Sequence, residues 1–226
     1  MAMSRHGKRP TGTIVDWRKR RGEIAAGALA LYLERPWPNV GIEEIAERLG
    51  ISYWQVYYSF DGQEDVYKAA VDRLIDRLAR RIAEAPASCT SVNRTIHAYV
   101  RHAAAIVGSE DYARLVFLAM RDEHTDLWVK AAYEKKIAIP LRQGLEIAVK
   151  HAGRKAGLDM IVLHGASERY LTMLETALAL PRLLRRDAFA DGNFEKTIAE
   201  TAKEVWSATC TFDGFGTDPG SAQAAA

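Results

Sequence analysis

Only two cysteines occur in the 226 residues, Cys89 and Cys210, far apart and without the paired spacing that a metal site uses. That scarcity excludes a disulfide framework and suits a reducing compartment, so a cytoplasmic location is expected. No apolar run reaches the roughly 18 residues that a membrane span needs. The amino-terminal stretch lacks an apolar core, so no secretory signal is expected there. Phosphate-binding glycine loops and HExxH pairs are missing. His97 and His102 stand five apart, off a common helix face, and Gly165-Ala166-Ser167 lacks the second glycine of a nucleophile elbow. An enzyme is therefore not expected, and neither is a metal or cofactor. Net charge is only +2, so any affinity for a polyanion must come from local clustering.

What the chain does have is helical periodicity, with no strand-like alternation of useful length, so an all-α fold is expected. Four consecutive cations, Arg18 to Arg21, stand before a stripe of Ile24, Ala28, Leu31 and Tyr32. Pro36 and Pro38 close that first helix. Upstream, Arg5, Lys8 and Arg9 lie in a polar arm over residues 1–16. Residues 41–60, GIEEIAERLGISYWQVYYSF, read as two short helices joined by a glycine turn. Ile45 and Leu49 share a face, and small Ala46 lets the next helix cross closely. Gly50 can take the positive φ that ends a helix sharply. Ser52 and Gln55 form a capping box that starts the next helix, and Val56 faces back into the seam. This is the arrangement of a helix-turn-helix, although a plain helical hairpin has the same spacing. A fourth helix follows Asp61 and Glu64, with Tyr67, Val71, Leu74, Leu78 and Ile82 along one side.

Pro86 and the polar run 87–91 mark a break, the expected boundary region between an amino-terminal and a carboxy-terminal part. Beyond it, a helix over 92–107 carries Ile96, Tyr99, Val100, Ala103 and Ile106, stopped by Gly108. Ser109 can cap a helix containing Leu115, Val116, Leu118 and Ala119. A long helix over 125–152 contains Pro140, which should kink it. The last two helices, 158–180 and 194–212, carry stripes of Ile161, Leu171, Leu174 and Leu178, and of Phe194, Ile198, Ala202, Val205 and Ala208. Such stripes either pair across a two-fold axis as a four-helix bundle or bury an intramolecular core, and periodicity alone allows both. Residues 213–226 read as a loose tail.

Residues 18–75 resemble the DNA-binding domain of the tetracycline-repressor (TetR) family. The resemblance rests on Ala28 and Leu31, EEIAERLGIS, VYYSF ending at Phe60, and Glu64. It implies a homodimeric transcription regulator with a helix-turn-helix domain over 17–62 and a helical ligand-binding and dimerisation domain over 63–212. The third helix of each subunit would enter successive major grooves of palindromic operator DNA. A small hydrophobic or aromatic effector would release repression, and the dimer would form through the two carboxy-terminal helices. Arg18, Gly41, Tyr53, Trp54, Gln55, Tyr57 and Tyr58 become the expected DNA contacts. Gln55 is either a reader of a base edge or only a capping residue. For the effector, the aromatic and soft residues Tyr99, Phe117, Met120, Trp128, Tyr133, Tyr170 and Met173 could line a pocket, with His102 and His164 as polar tethers. A helical small-molecule binder or adaptor that does not touch DNA is the alternative.

The chain departs from the family pattern at three places. Gly41 stands where Thr or Ser usually starts the second helix, bulky Trp54 replaces an early glycine in the third, and Gln63 replaces a lysine before the fourth. Gly41 leaves helix-start N–H groups free for a phosphate. The lost hydroxyl and charge should weaken phosphate clamping, which the basic arm and the Arg18–Arg21 run are expected to offset.

Overall fold

A computed structural model of the chain describes residues 14–87, 91–122, 127–152, 160–184 and 191–210, with side chains undescribed at 14–17, 160–162, 191–193 and 210. Among the described residues there are helices and short connections and no strand, as the periodicity requires. Arg5, Lys8 and Arg9, the 213–226 tail, and Cys89 lie outside the described residues.

Two compact units divide the chain, Met1–Leu74 and Ile75–Ala226. The first holds helix α1 (Ile14–Glu34), a 3-10 turn (Trp37–Asn39), α2 (Ile42–Leu49), α3 (Tyr53–Tyr57) and the start of α4 (Gln63–Ala83). Its core is the predicted stripe of α1, with Ile24, Ala28, Leu31 and Tyr32 buried against Ile45, Ala46, Val56, Phe60, Val66 and Tyr67. Tyr32 meets Tyr67 edge-on at 5.1 Å, and Trp37 stacks on the same ring at 5.7 Å. These contacts draw the first turns of α4 into this unit, so the division falls inside α4, after residue 62 and before the break at Pro86. A correction concerns the cations. Helix α1 begins at Ile14, so Arg18 to Arg21 are spread around a helix and do not precede it.

The second unit contains the end of α4, then α5 (Val92–Val107), α6 (Glu110–Arg121), α7 (Leu127–Tyr133), α8 (Ile139–Ala152), α9 (Met160–Leu174), α10 (Leu180–Leu183) and α11 (Asp191–Cys210). Two π-helical segments interrupt it, Glu134–Ala138 between α7 and α8 and Glu175–Ala179 between α9 and α10. Each is followed by a proline at the second position of the next helix, Pro140 and Pro181. The residue before each proline, Ile139 or Leu180, donates its N–H to the carbonyl five residues back. A proline ring crowds the carbonyl four residues before it, and a widened turn is one way to relieve that crowding. The predicted kink at Pro140 thus takes the form of a π turn.

Helices α9 and α11 pack against each other along the predicted stripes. Leu171, Leu174, Leu178, Ile198, Ala202 and Val205 are each at most 3 % exposed within one chain. These residues are therefore intramolecular core. Any pairing of subunits through α9 and α11 must use their outer faces.

Candidate functional site

The helix-turn-helix is built from local signals. Gly41 caps α2 in extended geometry (φ −76°, ψ 157°), leaving its first-turn N–H groups without a side-chain cap. Glu43 and Glu44 occupy that same turn, and Arg35 pairs with Glu44. Gly50 ends α2 in the left-handed region at φ 62°, and Ile51 N–H closes back on Ala46 O at 3.0 Å. Gly27 of α1 lies under the Leu49 side chain, since a Cβ there would come 2.1 Å from Leu49 Cδ2 and make that side chain shift. That close approach of α1 and α2 had no signal beyond the small residue itself.

Helix α3 turns Val56 inward and its aromatic residues outward. Val56 is fully buried, while Trp54, Tyr57 and Tyr58 are 59 %, 52 % and 70 % exposed. Their rings, with half-buried Tyr53, form one cluster. Tyr53 stacks on Tyr57 at 5.8 Å and meets Trp54 edge-on at 5.6 Å, and Trp54 lies 6.1 Å from Tyr57 and 5.9 Å from Tyr58. Gln55 uses its carbonyl oxygen in the capping box, accepting from Ser52 N–H at 3.0 Å. Ser59 Oγ donates to Gln55 O at 2.7 Å. The helix stops at Tyr57, and Phe60 returns to the core.

No lysine or arginine lies between Arg48 and Lys68, so the cations beside this face must come from elsewhere. Arg48 itself faces Glu34 at 3.3 Å. Arg18 and Lys19 are exposed on α1, and Arg20 is 3.6 Å from Glu23. Arg21 has a different job. Its guanidinium lies over the Phe60 ring at 4.2 Å, bonds Asp65 at 2.7 Å, and donates to Ser59 O, so it ties α1 to the end of the α3 turn and to α4. Gln63 donates to Pro38 O at 3.3 Å, a packing contact within the unit.

In the second unit, the residues proposed to line a pocket are scattered. Met120 and Tyr133 line a cavity of about 420 Å3 together with Val116, Ala119, Lys130, Glu175, Thr176, Ala179, Leu180 and Leu183. Phe117 lies nearby on α6, exposed beneath the Arg121 guanidinium. Tyr99 and Tyr170 are buried elsewhere, both donating to Leu141 O. Burial pushes the Tyr99 hydroxyl up to about 12, so it stays a donor. Gly144 admits that hydroxyl, because a Cβ would lie 2.0 Å from it. Tyr99, Pro140 and His151 border a second cavity of about 500 Å3. His164 faces solvent beside Glu146 at 2.8 Å. His102 is half-buried with Nε2 enclosed and without a hydrogen-bond partner among the described residues. Trp128 and Met173 are half-buried and line neither cavity.

At the polar end of the first cavity Tyr133 was expected and Glu175 was not. Glu175 Oε1 accepts from Tyr112 at 2.6 Å and from Tyr133, and the two hydroxyls are 2.8 Å apart. Burial, then the neighbouring phenol and carboxylate, raise the Tyr112 hydroxyl well above its ordinary value, so it remains protonated. A signal existed in the sequence: Glu175 is the only charged residue between Arg169 and Arg182.

Comparison with known proteins agrees with this geometry. Residues 24–70 match the profile of the bacterial regulatory proteins of the tetR family. The HTH-type transcriptional activator FasR of Mycolicibacterium smegmatis is 28 % identical over 82 residues, which are 36 % of this chain and 37 % of FasR. The matched region is thus little more than a third of that relative. A TetR transcriptional regulator from Chloroflexus aurantiacus superposes with a TM-score of 0.67 at 16 % identity, covering 85 % of this chain and 97 % of the other. The flavonoid-responsive regulator FrrA does so with 0.62 at 19 % identity, covering 84 % and 97 %. Likeness at that identity carries the fold alone, and the profile match speaks for residues 24–70. Residues 24–70 thus carry a helix-turn-helix of the tetR family of bacterial regulatory proteins, and the described part of the second unit is built of helices, as in the superposed regulators.

Proposed function

We propose that the chain is a homodimeric repressor that binds a palindromic operator through α3 and leaves it when a small hydrophobic effector binds the second unit. The observation that carries this reading is the outward face of α3. Three aromatic side chains more than half exposed, on a helix anchored by buried Val56, have no reason to stay in water unless a partner covers them. Arg18, Lys19 and the N–H groups behind Gly41 supply backbone contacts, while Tyr53, Trp54, Tyr57 and Tyr58 face the groove. Gln55 has its amide nitrogen left for a base edge, since only its oxygen serves the capping box.

The effector would enter the cavity of about 420 Å3, whose walls are Val116, Ala119, Met120, Leu180 and Leu183. A cavity of that size and apolar lining suits a drug-sized molecule with one or two polar groups. Glu175 and Tyr133, the carboxylate held from behind by Tyr112, would provide the polar end that His102 and His164 were expected to give. An activator is the second reading, favoured by FasR being an activator. The same dimer and DNA contacts serve either sign of control, because the sign follows from where the operator lies relative to a promoter.

Selection of bound duplexes from a random pool tests the DNA reading. Enrichment of an inverted repeat with half-sites about 34 Å apart is the expected result. Failure to enrich any duplex would leave a helical small-molecule binder as the surviving interpretation.

A further inference from the structure

We infer that Trp54 selects thymine in the operator by covering its 5-methyl group in the major groove. The inference rests on the reading that α3 enters that groove, and it adds which base is read and by what. Recognition helices contact base edges with their first residues, and Trp54 is the second residue of α3. It stands 59 % exposed and packs its indole against the rings of Tyr53, Tyr57 and Tyr58, which narrows the orientations open to it. That ordering is in place before DNA arrives, which lowers the entropy lost on binding.

The usual polar readers are few on this helix, Gln55 keeping only its amide nitrogen for a base edge and the tyrosines their hydroxyls at the ring tips. Gln55 Oε1 holds Ser52 N–H, Ser59 Oγ holds Gln55 O, and no lysine or arginine occurs from residue 49 to residue 67. The outward surface of α3 is thus chiefly aromatic carbon. Guanine, adenine and cytosine offer only donors and acceptors on their major-groove edges, and an indole face set against them would strip water without replacing its hydrogen bonds. Thymine alone adds an apolar group there, its methyl. An exposed indole and a methyl are complementary in the same way as two apolar side chains in a core.

The test uses the full chain and an operator obtained by selection. Each thymine is exchanged in turn for deoxyuridine, which removes the methyl and keeps base pairing. At one or two positions in each half-site the exchange should weaken binding about four-fold per methyl, and about fifteen-fold when both half-sites are changed, the scale of one buried methyl group. In Trp54→Ala the same exchanges should change affinity less than two-fold. Low salt keeps that variant measurable, since phosphate contacts strengthen there, and circular dichroism checks that its fold is intact. Uridine exchange without effect on the unaltered protein overturns the inference while leaving DNA binding standing. A loss equally large in Trp54→Ala overturns it as well, because another residue then covers the methyl. If no duplex is enriched at all, this inference and the operator reading fall together.

Discussion

Two neighbouring arginines on α1 show how identical side chains divide between holding the fold and facing a partner. Arg21 bridges Phe60, Asp65 and Ser59 O, whereas Arg18 is exposed three residues away. Because Arg21 is itself partly exposed, Arg21→Ala should lower stability by only about 1–2 kcal/mol, measured by urea unfolding. Arg18→Ala should leave unfolding unchanged and reduce the salt dependence of operator binding by about one phosphate contact. Equal unfolding midpoints for the two variants would remove the structural role given to Arg21. Glu175 makes the same point inside the second unit. Glu175→Leu leaves the Tyr112 and Tyr133 hydroxyls with only each other, which should cost about 1–3 kcal/mol. Glu175→Gln keeps an acceptor oxygen and should lose less than half of that in the same thermal unfolding experiment. Leucine and glutamine behaving alike would show that the carboxylate oxygen does not hold the two phenols. The sequence made Arg21 and Glu175 visible only as a member of a basic run and as an isolated charge. Their partners lie 38 to 63 positions away, beyond the reach of helical spacing.

Elements were more legible where their determinants are local. Gly50, Ser52 and Gln55 terminate and restart helices within one turn, so the helix-turn-helix could be read directly, apart from its exact end at Tyr57. Stripes on α9 and α11 were equally visible, but a stripe records only that something covers it. Here that something is the other helix of the same chain. Pro140 signalled an irregularity whose form depends on the backbone on either side, and Pro181, at the end of a helical stripe, reads in sequence only as a stop although it too follows a π turn, Glu175–Ala179. A π turn carries one residue more than an α-helix needs to keep its flanks in register. Deleting exposed Lys135 should therefore restore a regular helix between Tyr133 and Leu141, but with the Pro140 ring against the carbonyl behind it. The expected penalty is about 3 kcal/mol, and adding Pro140→Ala should recover most of it. Melting temperatures of the deletion, the substitution and the double change decide this. A deletion that is harmless on its own would mean that the widened turn is not there to accommodate proline.

At the scale of the whole molecule, the proposal couples two separate units, a groove-facing helix in Met1–Leu74 and a cavity in Ile75–Ala226. Helix α4 is the covalent link, running unbroken from Gln63 to Ala83 and contributing buried residues to both, Tyr67 and Val71 in one and Leu78 and Ile82 in the other. In the second unit its last turns are fastened by Arg77, which holds Asp111 through two bonds of 3.0 Å, and by Arg81, which donates to Ala105 O at 2.8 Å. Asp111 lies on α6, the helix that also supplies Val116, Ala119 and Met120 to the cavity. A compound wedged against α6 can therefore bias the end of α4 through that bidentate pair. An effector can shift the equilibrium only by its differential affinity for the operator-bound and free states, and the coupling must be reciprocal. Compounds recovered by thermal shift should weaken operator binding by about 5- to 150-fold. Operator DNA should weaken their binding by the same factor. Arg77→Ala should shrink both factors together while leaving binding of the compound to the free protein nearly unchanged. Titration calorimetry with and without operator measures each side of that cycle. If the two factors stay equal and undiminished in the Arg77 variant, the coupling does not pass through α6 and the end of α4.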